Sequence, residues 1–469
     1  MRPNVITRLK EAVGAGGFSE DPAEIAPHLQ EWRGTWKGRT PLLLKPGTTE
    51  QVSRILAICD ETATRVTPQG GNTGLVGGQI PLAGEVLLSL ERLNRIRSLD
   101  AAGASCIAEA GVTLARLKEA AEREEMLFPL SLASEGSCTI GGNLSTNAGG
   151  VNVLRYGMAR ELTLGLEVVL ADGRVLDLLR TLRKDNTGYD LKQLFIGAEG
   201  TLGVITAAAL KLYPRPTQTE TAFVAVRDPA AAVAILSRLQ AGAGGLLSAF
   251  ELIPRLGLDL VLAHIPGTAD PLKAPSPWYA LVEASSAADL GLRRAFEAAL
   301  AQAITDGIAQ DAAIAASQAQ RGALWRLRES LSEAQKKEGP SLKHDIAVPV
   351  GRIADFIAEA TAAVLRAMPG ARPVCFGHLG DGNLHFNFNA PKGADAEAFR
   401  ARREEIARIV HDMTSAFGGS ISAEHGVGVM KREEIVRYKS AEEIGLMTTL
   451  KRALDPKNIL NPGKVLRDG

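Results

Sequence analysis

Two glycine-rich segments constrain this chain more than any other feature. Residues 68 to 78 read PQGGNTGLVGG, with five glycines between Gly70 and Gly78, and residues 134 to 150 read SEGSCTIGGNLSTNAGG. Consecutive glycines let a backbone approach an anion closely and point successive N–H groups at it. The first segment follows a predicted strand ending over Thr64 to Thr67, so a sheet holds one end of the loop. A lone Gly-Gly pair is as often a plain surface turn. Two long glycine- and hydroxyl-rich loops in one half of the chain instead suit a long, bent, doubly phosphorylated cofactor. Neither segment matches GxGxxG with a helix and a downstream acid, and no GxxxxGK(S/T) is present, so Rossmann and P-loop binding are not supported.

The 469 residues exceed one ordinary core, and domains of roughly 100 to 200 residues imply two. Hydrophobic residues at 45% and charged residues at 23% are those of a folded globular chain. Lys plus Arg and Asp plus Glu both total 53, so no net field gathers nucleic acid or anionic lipid. The start, MRPNVITRLKEAVGAGG, lacks the apolar core of a secretion signal, and no run reaches the about 18 apolar residues of a membrane span. A cytoplasmic protein is expected. Cys59, Cys106, Cys138 and Cys375 have no CxxC spacing and read as buried small residues.

Short β-branched runs alternate with turns through the first half, as in GEVLLSL, SCIAEAGV, LGLEVVLADGRVLDL and TLGVITAAALKLYP, which ends near Pro214 and Pro216. The second half opens with TAFVAVRDPAAAVAILSRL, a strand and then an amphipathic helix, and has predicted helices around 290–305, 311–337, 352–367, 396–417 and 441–454. The fold class is α+β. The expected domains are an N-terminal helical segment (1–34), a cofactor domain (35–216), a substrate or cap domain with an antiparallel sheet (217–455), and a C-terminal segment (456–469) packing back on the cofactor domain.

Seven histidines are present and none lies between residues 29 and 263. In CFGHLGDGNLHFNF, His378 and His385 flank Asp381-Gly382, a strong two-residue hairpin signal. That turn would make the two imidazoles cross-strand partners with Cβ atoms about 5 Å apart, a metal-chelating separation. By period two, His385, Asn387 and Asn389 share a strand face. Further on, SAEHGVGVMKR supplies Glu424 beside His425. Two imidazoles and a carboxylate are a typical catalytic set for zinc or a similar ion, although any one histidine alone is more often structural. Arg328 and Ser332, four apart, would share a helix face. His344, next to Lys343, reads as structural.

PQGGNTGLVGG, SEGSCTIGGNLSTNAGG, YGMARELTLGLEVVLADG and GAEGTLGVIT resemble the FAD-binding domain of flavoproteins of the vanillyl-alcohol oxidase type. The resemblance implies that Gly70 to Gly74 wrap the pyrophosphate, that Gly136 to Gly150 flank the isoalloxazine and ribityl chain, and that Glu199 to Ile205 lie near the adenine. It implies a cofactor site of Pro68, Gly70, Gly71, Asn72, Thr73, Gly74, Gly77, Gly78 and Gln79 on the first loop. On the second it implies Gly136, Ser137, Thr139, Gly142, Asn143, Thr146, Asn147, Gly149 and Gly150. Tyr156, Glu199, Gly200, Gly203, Val204, Ile205 and Asn461 complete the set. Without a histidine from 29 to 263 a histidyl link within this domain is excluded, and non-covalent FAD is expected.

GHLGDGNLH and SAEHGVG also resemble the D-2-hydroxyglutarate dehydrogenase branch of the D-lactate dehydrogenase-like flavoproteins. That likeness covers roughly residues 35 to 469. It implies a divalent metal, zinc before manganese or cobalt, on His378, His385 and Glu424, with His425 as general base and Asn387 as a nearby polar contact. Arg328, Ser332 and Lys343 match its carboxylate-binding positions, with Ser where the relative considered has Thr. The implied reaction takes a D-2-hydroxy acid to the 2-oxo acid by hydride transfer to flavin N5, with an electron-transfer flavoprotein or quinone as acceptor; nothing in the sequence sets the oligomeric state, and a homodimer is the working expectation. The other readings are a D-lactate or glycolate dehydrogenase of the same fold, a non-catalytic FAD-binding subunit, and a zinc hydrolase, which has no use for the glycine loops.

Overall fold

A chain segment rich in turns and short apolar runs must assemble its core from short strands, and the first half does so. The computed structural model describes residues 2–243 and 245–467. It comprises two units, the first of Met1–Gly149, Gly157–Arg215 and His425–Gly469, the second of Gly150–Tyr156 and Pro216–Glu424.

In the first unit, Val66–Gln69 and Val86–Ser89 pair in parallel, and Leu43–Leu44 and Phe18–Ser19 extend the same sheet. The helix Thr49–Thr62 makes a parallel crossover between Leu43–Leu44 and that pair. It starts where the Thr48 hydroxyl accepts from Gln51 N, and it buries Val52, Ile55, Leu56 and Cys59, one stripe at helical spacing. Each such aliphatic side chain stabilises the fold by about 1.5–3 kcal/mol. The helix Pro3–Val13 adds Val5, Leu9 and Val13 to the same core, so residues 1–34 are integral to this unit. A five-stranded antiparallel sheet follows in the order Ile96–Asp100, Ser105–Glu109, Val204–Lys211, Thr163–Val169, Val175–Leu178.

The return of the chain to this unit begins earlier than the expected boundary at 455. Val76 O accepts from Val429 N and Met430 N, the Glu199 carboxylate accepts from Val427 N and Gly428 N, and Val66 pairs with Ile459 and Asn461. These long-range backbone bonds draw everything from His425 onward into the first unit, and composition does not reveal them.

The second unit is built on an eight-stranded antiparallel sheet. Its order is Asp311–Ile314, Gln218–Val226, Trp278–Ser286, Leu247–Pro254, Arg372–His378, Asn383–Asn389 and Ser341–Leu342, with Asp345–Ala347 also on Asn383–Asn389. One face packs under the helices Pro229–Ala243, Leu292–Thr305, Ile353–Ala367 and Arg403–Ala416, the other under Arg255–His264, Gln318–Glu329 and Leu331–Glu338. Burial on both faces explains the near-continuous apolar central strands.

Two sequence expectations change here. The helix predicted over 311–337 begins with an edge strand, because Asp311–Ile314 satisfies its backbone on Gln218–Val226, and such pairing outweighs the weak helical bias of alanines. The helix starts only at Gln318, capped by Ser317, and is interrupted at Ser330. The hairpin is also wider than predicted. Leu379 to Gly382 form a four-residue connection in which His378 O accepts from Asp381 N and Gly382 N, and Asp381 Oδ1 accepts from Asn383 N. Gly382 adopts φ 89°, a left-handed conformation that suits glycine. The cross-strand partner of His385 is therefore Phe376, and His378 lies two residues further along the same face.

Candidate active site

Period two places Phe376 and His378 of one strand, His385, Asn387 and Asn389 of the next, and Glu251 of a third on a common sheet face. Glu251 and His378 are register partners. Although offset from direct pairing, the His378 and His385 rings lie 5.8 Å apart, near perpendicular. Glu424 joins them: one ligand atom from each of His378, His385 and Glu424 falls within 4.8 Å of the others. His378 Nε2 is 3.7 Å from Glu424 Oε1, which two bonds of about 2.0–2.2 Å to one ion can span. Two imidazole nitrogens and a carboxylate oxygen fit a divalent metal in donor type and spacing.

These donors are individually held. Glu424 N donates to Asp345 Oδ2 at 3.0 Å, and Glu424 Oε1 accepts from Gly150 N at 2.7 Å. His378 Nδ1 meets Glu251 Oε1 at 2.6 Å, which leaves Nε2 toward Glu424. Glu251 Oε2 accepts from Arg328 Nε, also at 2.6 Å. Burial alone would push the Glu251 carboxyl up, but Arg328 and His378 hold it well below the usual carboxylate range. Burial likewise disfavours the His378 imidazolium, and Glu251 overrides it, so the imidazole is raised. Burial pushes the Asp381 carboxyl up to about 6.

Arg328 is the one member of the expected carboxylate-binding trio that is buried. Its guanidinium stacks 4.9 Å from the Phe376 ring centroid, and its Nη2, hydrogen-bonded to nothing, lies in the interior. A second buried carboxylate anchors the same helix: Glu283 accepts from Arg321, from Trp325 Nε1 and from the Thr221 hydroxyl. Ser332, past the break at Ser330, is exposed, as is Lys343. Asn387 is buried, its Oδ1 accepting from His344 N and its Nδ2 donating to Gln335 Oε1, so its amide is engaged in holding the strand. His344 is buried with Nδ1 on Phe386 O, as a structural residue would be. His425 is half-buried and belongs to the first unit.

Glu251 was not singled out from sequence. The available signal was a lone carboxylate in the apolar run LSAFELIP, every residue of which is buried.

In the first unit the two glycine loops meet. A cavity of about 330 Å³ is lined by Gly70, Gly71 and Asn72 from one, by Ser137 and Thr139 from the other, and by Arg116. The loops touch so closely that a Cβ on Gly71 would lie 1.9 Å from Ser137 O. Buried Thr67 Oγ1, Thr139 Oγ1 and Asn461 Oδ1 have no partner within the protein, while Asn461 Nδ2 ties Gly78 O to Glu199 O. The unpaired Thr139 hydroxyl, bare glycine backbone and the Arg116 cation around this cavity fit a phosphate-bearing cofactor such as FAD. His28, outside the stretch weighed for histidyl attachment, also lines this cavity, with Nδ1 on Gln69 Oε1 at 2.6 Å.

Of the remaining expected cofactor residues, Gln79 braces its loop by donating to Asn72 Oδ1 and Gly74 O. Glu199 is fully engaged with the C-terminal return, and burial lifts its carboxyl to about 7 against the two backbone donors. Gly203, Val204 and Ile205 lead into the central antiparallel strand, and Gly150 and Tyr156 belong to the second unit. All four cysteines are buried and free, and among the described residues no helix is long and apolar enough to cross a membrane.

Comparisons with known proteins place a boundary between two domains near residue 215, while the C-terminal family model also takes in most of the segment from His425 that the structure returns to the first unit. The FAD binding domain model matches residues 40–179, and that of the C-terminal domain of FAD linked oxidases matches residues 215–465. The chain is 41% identical over 463 residues to the mitochondrial D-2-hydroxyglutarate dehydrogenase of Arabidopsis thaliana, covering 98% of this chain and 81% of the relative. It is 36% identical over 460 residues to the D-2-hydroxyglutarate dehydrogenase of Xanthomonas citri pv. viticola, covering 98% and 96%. Among solved structures, p-cresol methylhydroxylase superposes with a TM-score of 0.78 at 17% identity over 99% of this chain and 96% of that one. Alkyldihydroxyacetonephosphate synthase gives 0.75 at 17% over 98% and 86%, and both share the fold. The chain belongs to the FAD-linked oxidase family, with the fold of the vanillyl-alcohol oxidase type, and is an FAD-dependent oxidoreductase related to the D-2-hydroxyglutarate dehydrogenases.

Proposed function

We propose that this enzyme oxidises a D-2-hydroxy acid, D-2-hydroxyglutarate in the first place, to the 2-oxo acid. The observation that carries this reading is the buried Arg328, with an unpaired Nη2, joined through one carboxylate to the His378, His385 and Glu424 cluster. An anion-binding fork beside a chelating triad suits a molecule with both a carboxylate and a hydroxyl to chelate. The names of the Arabidopsis and Xanthomonas relatives support the same substrate.

When bound, FAD supplies the hydride acceptor, and a divalent ion, zinc in our reading, supplies the Lewis acidity that makes a bound hydroxyl easier to deprotonate. His378, His385 and Glu424 would hold that ion. Arg328 pairs with a substrate carboxylate and fixes the orientation of the carbon to be oxidised. His425 takes the hydroxyl proton. We read the FAD as non-covalent: buried Cys138 has its thiol pushed up by burial, which leaves it a weak nucleophile. An electron-transfer flavoprotein or a quinone is the proposed electron acceptor.

The exposure of Ser332 and Lys343 favours a second reading, a D-lactate or glycolate dehydrogenase, in which Arg328 alone meets a single carboxylate. Anaerobic flavin bleaching by D-2-hydroxyglutarate, D-malate, D-lactate and glycolate on metal-replete protein separates the two. Dicarboxylates should bleach fastest. Faster bleaching by D-lactate would overturn the dicarboxylate assignment, and no bleaching by any of them would leave a non-catalytic FAD-binding subunit.

A further inference from the structure

Of the groups around the triad, Glu251 has no part yet, although it touches two of the residues that do. It is fully buried on a strand whose other residues are all buried, a costly place for a carboxylate unless its charge is matched. Both oxygens are matched at 2.6 Å, Oε1 by His378 Nδ1 and Oε2 by Arg328 Nε. Arg328 is further fixed against Phe376, which in turn contacts His385 with ring centroids 5.0 Å apart.

We infer that Glu251 is a positioning residue that makes His378 a metal ligand through Nε2 and ties that ligand to the arginine that receives the substrate. The inference rests on the metal reading above. Its physical basis is the tautomer. A carboxylate accepts only, so it requires the imidazole proton on Nδ1 and leaves the Nε2 lone pair for an ion. A carboxylate behind a ligating histidine also fixes the ring plane and raises the basicity of the ligating nitrogen, and losing such a partner costs roughly 10–100-fold in metal affinity. Because the second oxygen holds Arg328 Nε, the same side chain sets the distance between metal and carboxylate fork. A two-point substrate would sense that distance.

Glu251→Gln keeps the shape and removes the double acceptor. If its amide nitrogen faces His378, the ring proton is driven to Nε2, the ligating atom. If it faces Arg328, two N–H groups oppose each other and the fork is displaced, dragging the remaining contact with it. The test is the dissociation constant of Zn²⁺, measured by competition with a chromophoric chelator on FAD-loaded wild-type and variant protein. Flavin absorbance and melting temperature confirm the fold. The expected result is a 10–100-fold weaker Zn²⁺ complex with FAD content unchanged, and a KM for the best-bleaching hydroxy acid raised by a larger factor than kcat falls. A Zn²⁺ constant within threefold of wild type would overturn the role of Glu251. If the glutamine variant does not fold, Glu251→Asp serves with the same threshold, since it keeps the charge but cannot reach both partners at 2.6 Å. A wild-type protein that takes up no stoichiometric Zn²⁺ would instead overturn the metal reading, and this inference with it.

Discussion

In a Gly71→Ala variant the new Cβ lies 1.9 Å from Ser137 O, 2.8 Å from Ser137 C and 3.0 Å from Cys138 Cα, where ordinary contact begins near 3.4 Å. Relief at the closest atom therefore requires 3.4 minus 1.9, or about 1.5 Å, of relative backbone movement. The opposing segment does not yield easily: Ser137 N and Cys138 N donate to Ser134 O, and Cys138 O accepts from Leu114 N. The first loop is what moves, and overpacking of this kind costs about 1–3 kcal/mol. If FAD binds where the two loops meet, binding must press the displaced loop back, so its affinity falls by a comparable amount, roughly 5–150-fold. Gly70→Ala is the internal comparison. Its Cβ meets only the Thr139 hydroxyl at 2.5 Å, and the next atoms, on Gly142, are at 3.5 Å. A side-chain hydroxyl can rotate away, so the Gly70→Ala apoprotein should melt near the wild type while Gly71→Ala loses several degrees. The assay is titration of apoprotein with FAD, followed by flavin fluorescence, alongside thermal melts. A Gly71→Ala protein that binds FAD within twofold of wild type and melts unchanged would refute both the contact geometry and the placement of the cofactor.

Two other expectations can be checked independently. His425→Ala should retain FAD yet lose flavin reduction by substrate by about 10²-fold or more, the usual contribution of a positioned general base, and stopped-flow bleaching at near wild-type speed would exclude His425 from that role. The acid limb of stability should depend on the Arg95, Arg97, Glu109 and Glu167 cluster. Burial pushes both carboxyls up, but hydrogen bonds from Arg95 and Arg97 to Glu109, and from Arg97, Thr49 and Thr206 to Glu167, hold them below the ordinary value of 4.5. A depressed carboxylate stabilises the fold above that unfolded-state value and loses its contribution as pH falls through the lower folded one. The melting temperature should drop on acidification below pH 4.5, and less steeply in Arg97→Met. Equal slopes in the two proteins would count against the cluster.

Much of the site was legible because its signals are local. The glycine loops declare themselves by composition, since no other residue permits such close backbone approach, and they do line one cavity. The histidine pair was readable from spacing and Glu424 from the motif resemblance, and the three side chains do converge. The route was misread in one respect: a two-residue turn would pair His378 with His385, whereas the four-residue connection pairs Phe376 with His385. The conclusion survived because a shift of two residues preserves the face, and a shift of one would have reversed it.

By itself, the sequence determined the class of fold, a phosphate-bearing cofactor and the residue types able to chelate an ion, because backbone permissiveness, strand period and donor chemistry belong to the residues and their near neighbours, and the motif resemblance named that cofactor as FAD. Only the tertiary structure decided which carboxylate stands behind His378. Glu251 is 127 residues from His378 and 77 from Arg328, and it meets them because two antiparallel strands and a covering helix bring three distant segments to one buried point. It also decided that Arg328 is buried while Ser332 and Lys343 are exposed. A helix break at Ser330 and the packing of the preceding helix on the sheet separate buried Arg328 from exposed Ser332, while Lys343 lies in the link between two short strands, and none of this is written in residue spacing.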